Sequence, residues 1–142
     1  MTMTADAAAR PIRNLIGVSA ALATPFETDG AIDWTTYAAH AASLLDRGVT
    51  VVTAFGTTGE GISIARAERD PLYDRFGAAG IAPSSIVECI YGPSSTEAGE
   101  QTARALDIGA AGILLTPPFY FKAPSEEGIY RWYAEAIEAA GG

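Results

Sequence analysis

Lysine is almost missing from this chain: Lys122 is the only one in 142 residues. Cysteine and histidine occur once each, as Cys89 and His40. A single cysteine excludes an internal disulfide and a multi-cysteine metal site. Cys89 lies in an apolar, strand-like stretch, where a buried and inert thiol is expected. Basic side chains are also scarce, 9 against 17 acidic ones, for a formal charge of −8. That balance argues against nucleic acid and anionic membrane surfaces, both of which need a basic face. No apolar run approaches the roughly 20 residues that a membrane helix requires. Residues 15–23 are mildly apolar and follow Arg10 and Arg13, but the segment is short and Asp6 precedes it. It is not read as a secretion signal, and cytoplasm is the expected compartment.

What remains is rich in apolar residues, at 49% of the chain, and regularly punctuated by glycine and proline. The length suits one domain, able to bury about two thirds of its unfolded surface. Residues 1–14, polar and Ala-rich with Pro11, read as a loose tail. Residues 17–23 read as a first strand, stopped by Thr24-Pro25. Asp29-Gly30 marks a turn, and Asp33 is placed to cap a helix with Tyr37, Ala41, Leu44 and Leu45 on one face. Gly48 ends that helix. His40 within it is read as structural.

Residues 49–54 make a second strand. The helical stretch 65–76 contains Pro71, so a second piece is expected to start there, with Asp70 as cap and Pro71 at its first position. Residues 85–91 form a third strand, closed by Gly92-Pro93. Ser94 and Glu97 have capping-box spacing and open a helix through Ile108, which Gly109 terminates. Residues 111–115 form a fourth strand, ended by Thr116-Pro117-Pro118. Ser125 caps a last helix whose Ile129, Trp132, Tyr133 and Ile137 make one apolar stripe, read as core packing. Strands alternating with helices imply an α/β fold with a parallel sheet, and all four strands look buried on both faces.

The second strand runs into Phe55-Gly56-Thr57-Thr58-Gly59-Glu60. Glycines at the carboxyl end of a buried parallel strand let backbone approach a ligand and expose amides that hold an anion. The threonines add hydroxyls that donate and accept. A simple βα turn with a capped helix entry is the plainer alternative. A nucleotide- or flavin-binding reading finds no support, because no βα loop carries a Walker lysine or G-x-G-x-x-G. No cluster of His, Cys or carboxylates has metal-ligand spacing.

Taken with residues 21–26 (Ala-Leu-Ala-Thr-Pro-Phe) and 116–122 (Thr-Pro-Pro-Phe-Tyr-Phe-Lys), the loop resembles the dihydrodipicolinate synthase / N-acetylneuraminate lyase family of class I aldolases. Asp33, Glu68-Arg69 and Ser125-Glu126-Glu127-Gly128 fit the same pattern, and the resemblance runs from about residue 15 to the end. It implies a (β/α)8 barrel of which residues 15–142 are the first half, ending before strands 5–8. It implies a carbon–carbon lyase or synthase acting on pyruvate or another 2-oxo acid through a lysine Schiff base, with no cofactor, in a homo-oligomer.

By that resemblance Thr57 and Thr58 hold the substrate carboxylate, together with Gly59, and Thr57 links two tyrosines in a proton relay. Tyr120 matches a tyrosine that reaches across a dimer interface, and Ala21 a small residue near the pyruvyl group. Phe119 stands where the family often has a second tyrosine. The family's Schiff-base lysine belongs on the sixth strand, so it is absent from this chain. Lys122, after the fourth strand, is read as a solvated loop cation. The chain alone is therefore expected to be inactive. A different reading is a non-catalytic half-barrel that binds carboxylates or serves in assembly.

Overall fold

In the computed structural model, residues 17–141 are described; the tail expected over residues 1–14 lies outside them. Four parallel strands, β1 (Ser19–Ala21), β2 (Val51–Ala54), β3 (Ile86–Ile90) and β4 (Gly112–Leu115), form one sheet in the order β1-β2-β3-β4. The connections hold α1 (Trp34–Asp46), α2 (Arg66–Arg69), α3 (Leu72–Ala78) and α4 (Ser95–Ile108), and α5 (Glu126–Ala139) follows β4. β2, β3 and β4 are one or two residues shorter than the apolar runs that signal them, and β1 is four residues shorter. Pairing fades at the ends: the Leu22 N–H still reaches the Thr53 carbonyl at 2.9 Å, one residue past β1. Among the described residues, no helix is long and apolar enough to cross a membrane.

The side-chain alternation of the strands sorts the sheet into two faces. Val52, Ala54 and Ile86 point to the helices, packing with Leu22, Tyr37, Ala41, Leu72, Phe76 and Ala105 in the main core. Ile90 joins Ala98 and Ala136 in a smaller cluster under α4 and α5. Ser19, Ala21 and Leu114 belong to the opposite rows and are exposed. Burial on both faces therefore holds for β2 but not for β1 or β4. The outer strands each have one neighbour among the described residues, and no helix covers their second face.

Helix ends follow local chemistry. The Asp33 carboxylate accepts the Thr36 N–H at 2.9 Å, Ser94 Oγ accepts from Glu97 at 3.2 Å, and Ser125 Oγ from Gly128 at 3.1 Å. Gly48 and Gly109 lie at φ of +93° and +98°, which suits glycine at a helix exit. The helix does break at Pro71, but Asp70 is not its cap. Asp70 is still helical, Pro71 stands as the boundary residue before Leu72, and the Asp70 carboxylate turns to Arg104 and Arg66.

His40 is exposed on α1, away from the strand ends. One other expectation is corrected. The α5 stripe is only partly core: Ala136 is buried, whereas Ile137 is 55% exposed and Trp132 and Tyr133 are half-buried. Small residues set the contact instead. A Cβ on Gly99 of α4 would lie 2.4 Å from the Ala139 Cβ and 2.8 Å from the Ala136 carbonyl oxygen. The two helices meet backbone to backbone, so the large side chains of α5 spread to the rim.

Candidate functional site

In a parallel sheet every strand ends at the same edge, where β2 delivers the chain into a tightly folded loop. Phe55, the first residue past β2, is fully buried and has φ of +60°. A bulky side chain rarely adopts that conformation, which costs of order 1–3 kcal/mol and persists only where the surroundings enforce it. Here its ring is wedged between Trp34 and Tyr37, with centroids 6.2 and 5.7 Å away. The Tyr37 hydroxyl accepts the Phe55 N–H at 3.3 Å.

Beyond Phe55 the Gly56 carbonyl accepts two amides, Gly59 at 3.0 Å and Gly61 at 3.2 Å, and Thr57 O accepts the Glu60 N–H at 3.2 Å. The glycines allow backbones to touch. A Cβ on Gly61 would sit 1.8 Å from the Phe55 carbonyl oxygen, and one on Gly59 2.8 Å from that of Leu22. Thr24 Oγ1, buried, donates to the Gly59 carbonyl at 2.7 Å.

With those groups occupied, the loop presents Thr57 and Thr58. Both are exposed, and neither their N–H groups nor their hydroxyls bond to another described residue. Two amides without a partner among the described residues and two hydroxyls on exposed residues, at a strand end, suit a small carboxylate. Gly59 contributes close approach; its own N–H is used within the loop. Ala21 ends β1 beside Thr53 in register and is exposed on the face that carries no helix. Next to it, Ser19 Oγ and Thr53 Oγ1 are 2.8 Å apart. Ala21, Thr57 and Thr58 thus come from adjacent strand ends.

Tyr120 does not join them. It stands after β4, two strands away, 83% exposed with its ring against Phe121 at 5.8 Å. No hydrogen bond links Thr57 to a tyrosine among the described residues. Lys122 is exposed in the same segment and makes no ion pair among them. Cys89 is buried, and burial pushes its thiol pKa up.

Sequence reading missed a polar cluster on the helix side of β3. Glu88, in an otherwise apolar strand, faces Tyr73 and lies near Arg69 and Arg104; burial raises its carboxyl pKa above the usual range. Arg69, only 5% exposed, donates to the Cys89 carbonyl at 3.4 Å and lies 5.6 Å over the Tyr91 ring. The Tyr73 hydroxyl pKa rises too, first from burial and then from the Glu88 charge. A lone Glu in the third apolar run was the available signal. Among the described residues no group of three His, Cys, Asp or Glu could hold a metal.

The family model described as the dihydrodipicolinate synthetase family matches residues 14–142. The 4-hydroxy-tetrahydrodipicolinate synthase of Dehalococcoides mccartyi (strain CBDB1) is 34% identical over 119 residues, covering 84% of this chain and 40% of that protein. The enzyme of the same name from Methylococcus capsulatus is 35% identical, covering 87% and 42%. The crystal structure of dihydrodipicolinate synthase from Agrobacterium tumefaciens str. C58 superposes with a TM-score of 0.84 at 47% identity, over 88% of this chain and 44% of that one. The chain thus spans about 40% of the length of the curated relatives it matches. Its four-stranded parallel sheet with outer helices is part of the (β/α)8 barrel of those relatives, and the chain belongs to the dihydrodipicolinate synthetase family.

Proposed function

We propose that this chain supplies the carboxylate-holding part of a carbon–carbon lyase or synthase that acts on pyruvate or another 2-oxo acid. The reaction runs through a Schiff base on a lysine that this chain does not carry, so the chain alone is inactive. The observation that carries the reading is the β2 loop, folded on itself so that the Gly59, Glu60 and Gly61 amides are bonded within it while the amides and hydroxyls of the exposed Thr57 and Thr58 bond to no other described residue. The names of its family relatives support the reaction class.

The chemistry explains the division of labour. A lysine amine adds to the 2-oxo carbon and water leaves, giving an imine that withdraws electrons from the neighbouring carbon. A proton lost there gives an enamine, which forms the new bond; cleavage is the reverse. The substrate carboxylate stays anionic throughout and needs fixed donors that do not reorganise. Thr57 and Thr58 supply these, Gly59 lets the loop approach, and Ala21 leaves room beside them. The Thr57 hydroxyl also passes a proton between tyrosines, one of them Tyr120 from a neighbouring subunit. The exposure of Tyr120, Phe119 and Phe121 is the kind that a homo-oligomeric contact would cover.

A second reading is a non-catalytic half-barrel that binds carboxylates or serves in assembly. What favours it is that Lys122, the only lysine, is exposed and beyond β4.

The test combines a pyruvate titration followed at the Thr57 and Thr58 amides with intact mass after borohydride. Both amides should shift while the 14.7 kDa chain stays unmodified. The protein isolated from its native source should carry the trapped pyruvyl group. A pyruvyl adduct on Lys122, or amides that ignore pyruvate, would sink the proposal. Binding without any adduct in the native protein would leave the non-catalytic reading standing.

A further inference from the structure

The β2 loop needs something to hold it, because its first residue sits in a conformation that an isolated chain avoids. The Phe55 N–H lies one residue past β2, takes no backbone partner among the described residues, and is buried. A buried N–H without a partner is costly, so the acceptor chosen for it decides whether the turn survives. That acceptor is the Tyr37 hydroxyl on α1, 3.3 Å away and fully buried. The same hydroxyl faces Thr24, whose own hydroxyl is committed to the Gly59 carbonyl at 2.7 Å. Two buried hydroxyls therefore grip the loop at both ends, one at Phe55 and one at Gly59, and the segment between them is Gly56, Thr57 and Thr58.

We propose that Tyr37 and Thr24 are positioning residues for the carboxylate cradle: Tyr37 fixes the Phe55 end and Thr24 the Gly59 end, so that the Thr57 and Thr58 amides stay clear of the loop's own hydrogen bonds. The inference rests on the function proposed above only for the identity of the anion. Neither hydroxyl touches the substrate. Packing alone does not explain the choice of tyrosine, since phenylalanine would preserve the ring contacts with Trp34, Phe55 and Phe76 at 6.0, 5.7 and 5.1 Å.

The experiment is Tyr37→Phe and, separately, Thr24→Val, each followed by amide hydrogen exchange and by pyruvate titration of the whole chain. Losing one buried acceptor or donor should speed exchange of the bonded Phe55, Gly59, Glu60 and Gly61 amides about tenfold or more while the β3 amides hold their rates. Pyruvate affinity should fall about tenfold as well, and Thr24→Ser should restore both. Exchange that changes equally in the loop and in β3, or in neither, overturns the proposal. So does a wild-type protein that binds pyruvate and a Tyr37→Phe protein that binds it equally well. If the wild type itself ignores pyruvate, the functional reading fails, and the exchange pattern still decides whether the hydroxyls hold the loop.

Discussion

The loops after β2 and after β4 both carry proposed site residues, and they are held in opposite ways. After β2, Phe55 is buried, Gly61 is pressed against its carbonyl, and Thr24 and Tyr37 hydrogen-bond the backbone from elements distant in sequence. After β4, Phe119, Tyr120 and Phe121 are 59%, 83% and 62% exposed. The first loop takes its geometry from this chain alone. The second has side chains suited to a surface that another body covers. The contrast divides the proposed site into a part that is pre-formed and a part that awaits a contact.

The sharpest way to break the contrast is Gly61→Ala. The added methyl would overlap the Phe55 carbonyl, and a loss of about 3 kcal/mol or more is expected in urea denaturation. Gly77→Ala, at an exposed helical position with nothing within 4 Å, should instead stabilise by about 0.5–1 kcal/mol. If the two substitutions cost the same, the β2 loop is not over-determined.

Glu88 gives a smaller effect with a defined sign. Burial holds its carboxyl pKa above that of an unfolded glutamate, so the folded state binds the proton more tightly. Its contribution to stability is complete below the unfolded value of about 4.3 and is lost as pH rises through the raised folded value. Glu88→Gln removes the dependence. The variant's melting temperature relative to wild type should therefore rise between about pH 4 and pH 7. A gap that shrinks would mean that Arg69 and Arg104 outweigh burial.

The smallest effect belongs to the β4 loop. Phe119→Ser and Phe121→Ser should each change the stability of the chain by less than about 0.5 kcal/mol, as exposed positions do. Their effect should appear in the oligomeric state, read by sedimentation, and not in the melting curve. A loss of several degrees on melting would mean that the loop packs within the chain after all.

Most of the fold was legible because its signals are local. Asp33, Ser94 and Ser125 cap as their spacing suggests, Gly48 and Gly109 end helices, and Pro71 breaks one. What was not legible depends on partners far along the chain. Tyr37 reads as one more apolar position of α1, since nothing near it tells that its hydroxyl will meet Phe55. Asp70 looks like a cap until Arg104, a helix away, claims its carboxylate. The α5 stripe suggests burial by size, but the Gly99 contact made the small Ala136 the buried residue. Glu88 was hidden by the apolar residues on either side of it.

Each strand of this sheet pairs with its neighbour in chain order, β1 with β2, β2 with β3 and β3 with β4. Every pairing closes across one short connection, of one helix or, between β2 and β3, of two, so the entropy of loop closure is met in small instalments. The order of synthesis and the order of assembly can then coincide. As each βα unit leaves a ribosome, the strand it must join is already in place, and the growing edge is always the newest one.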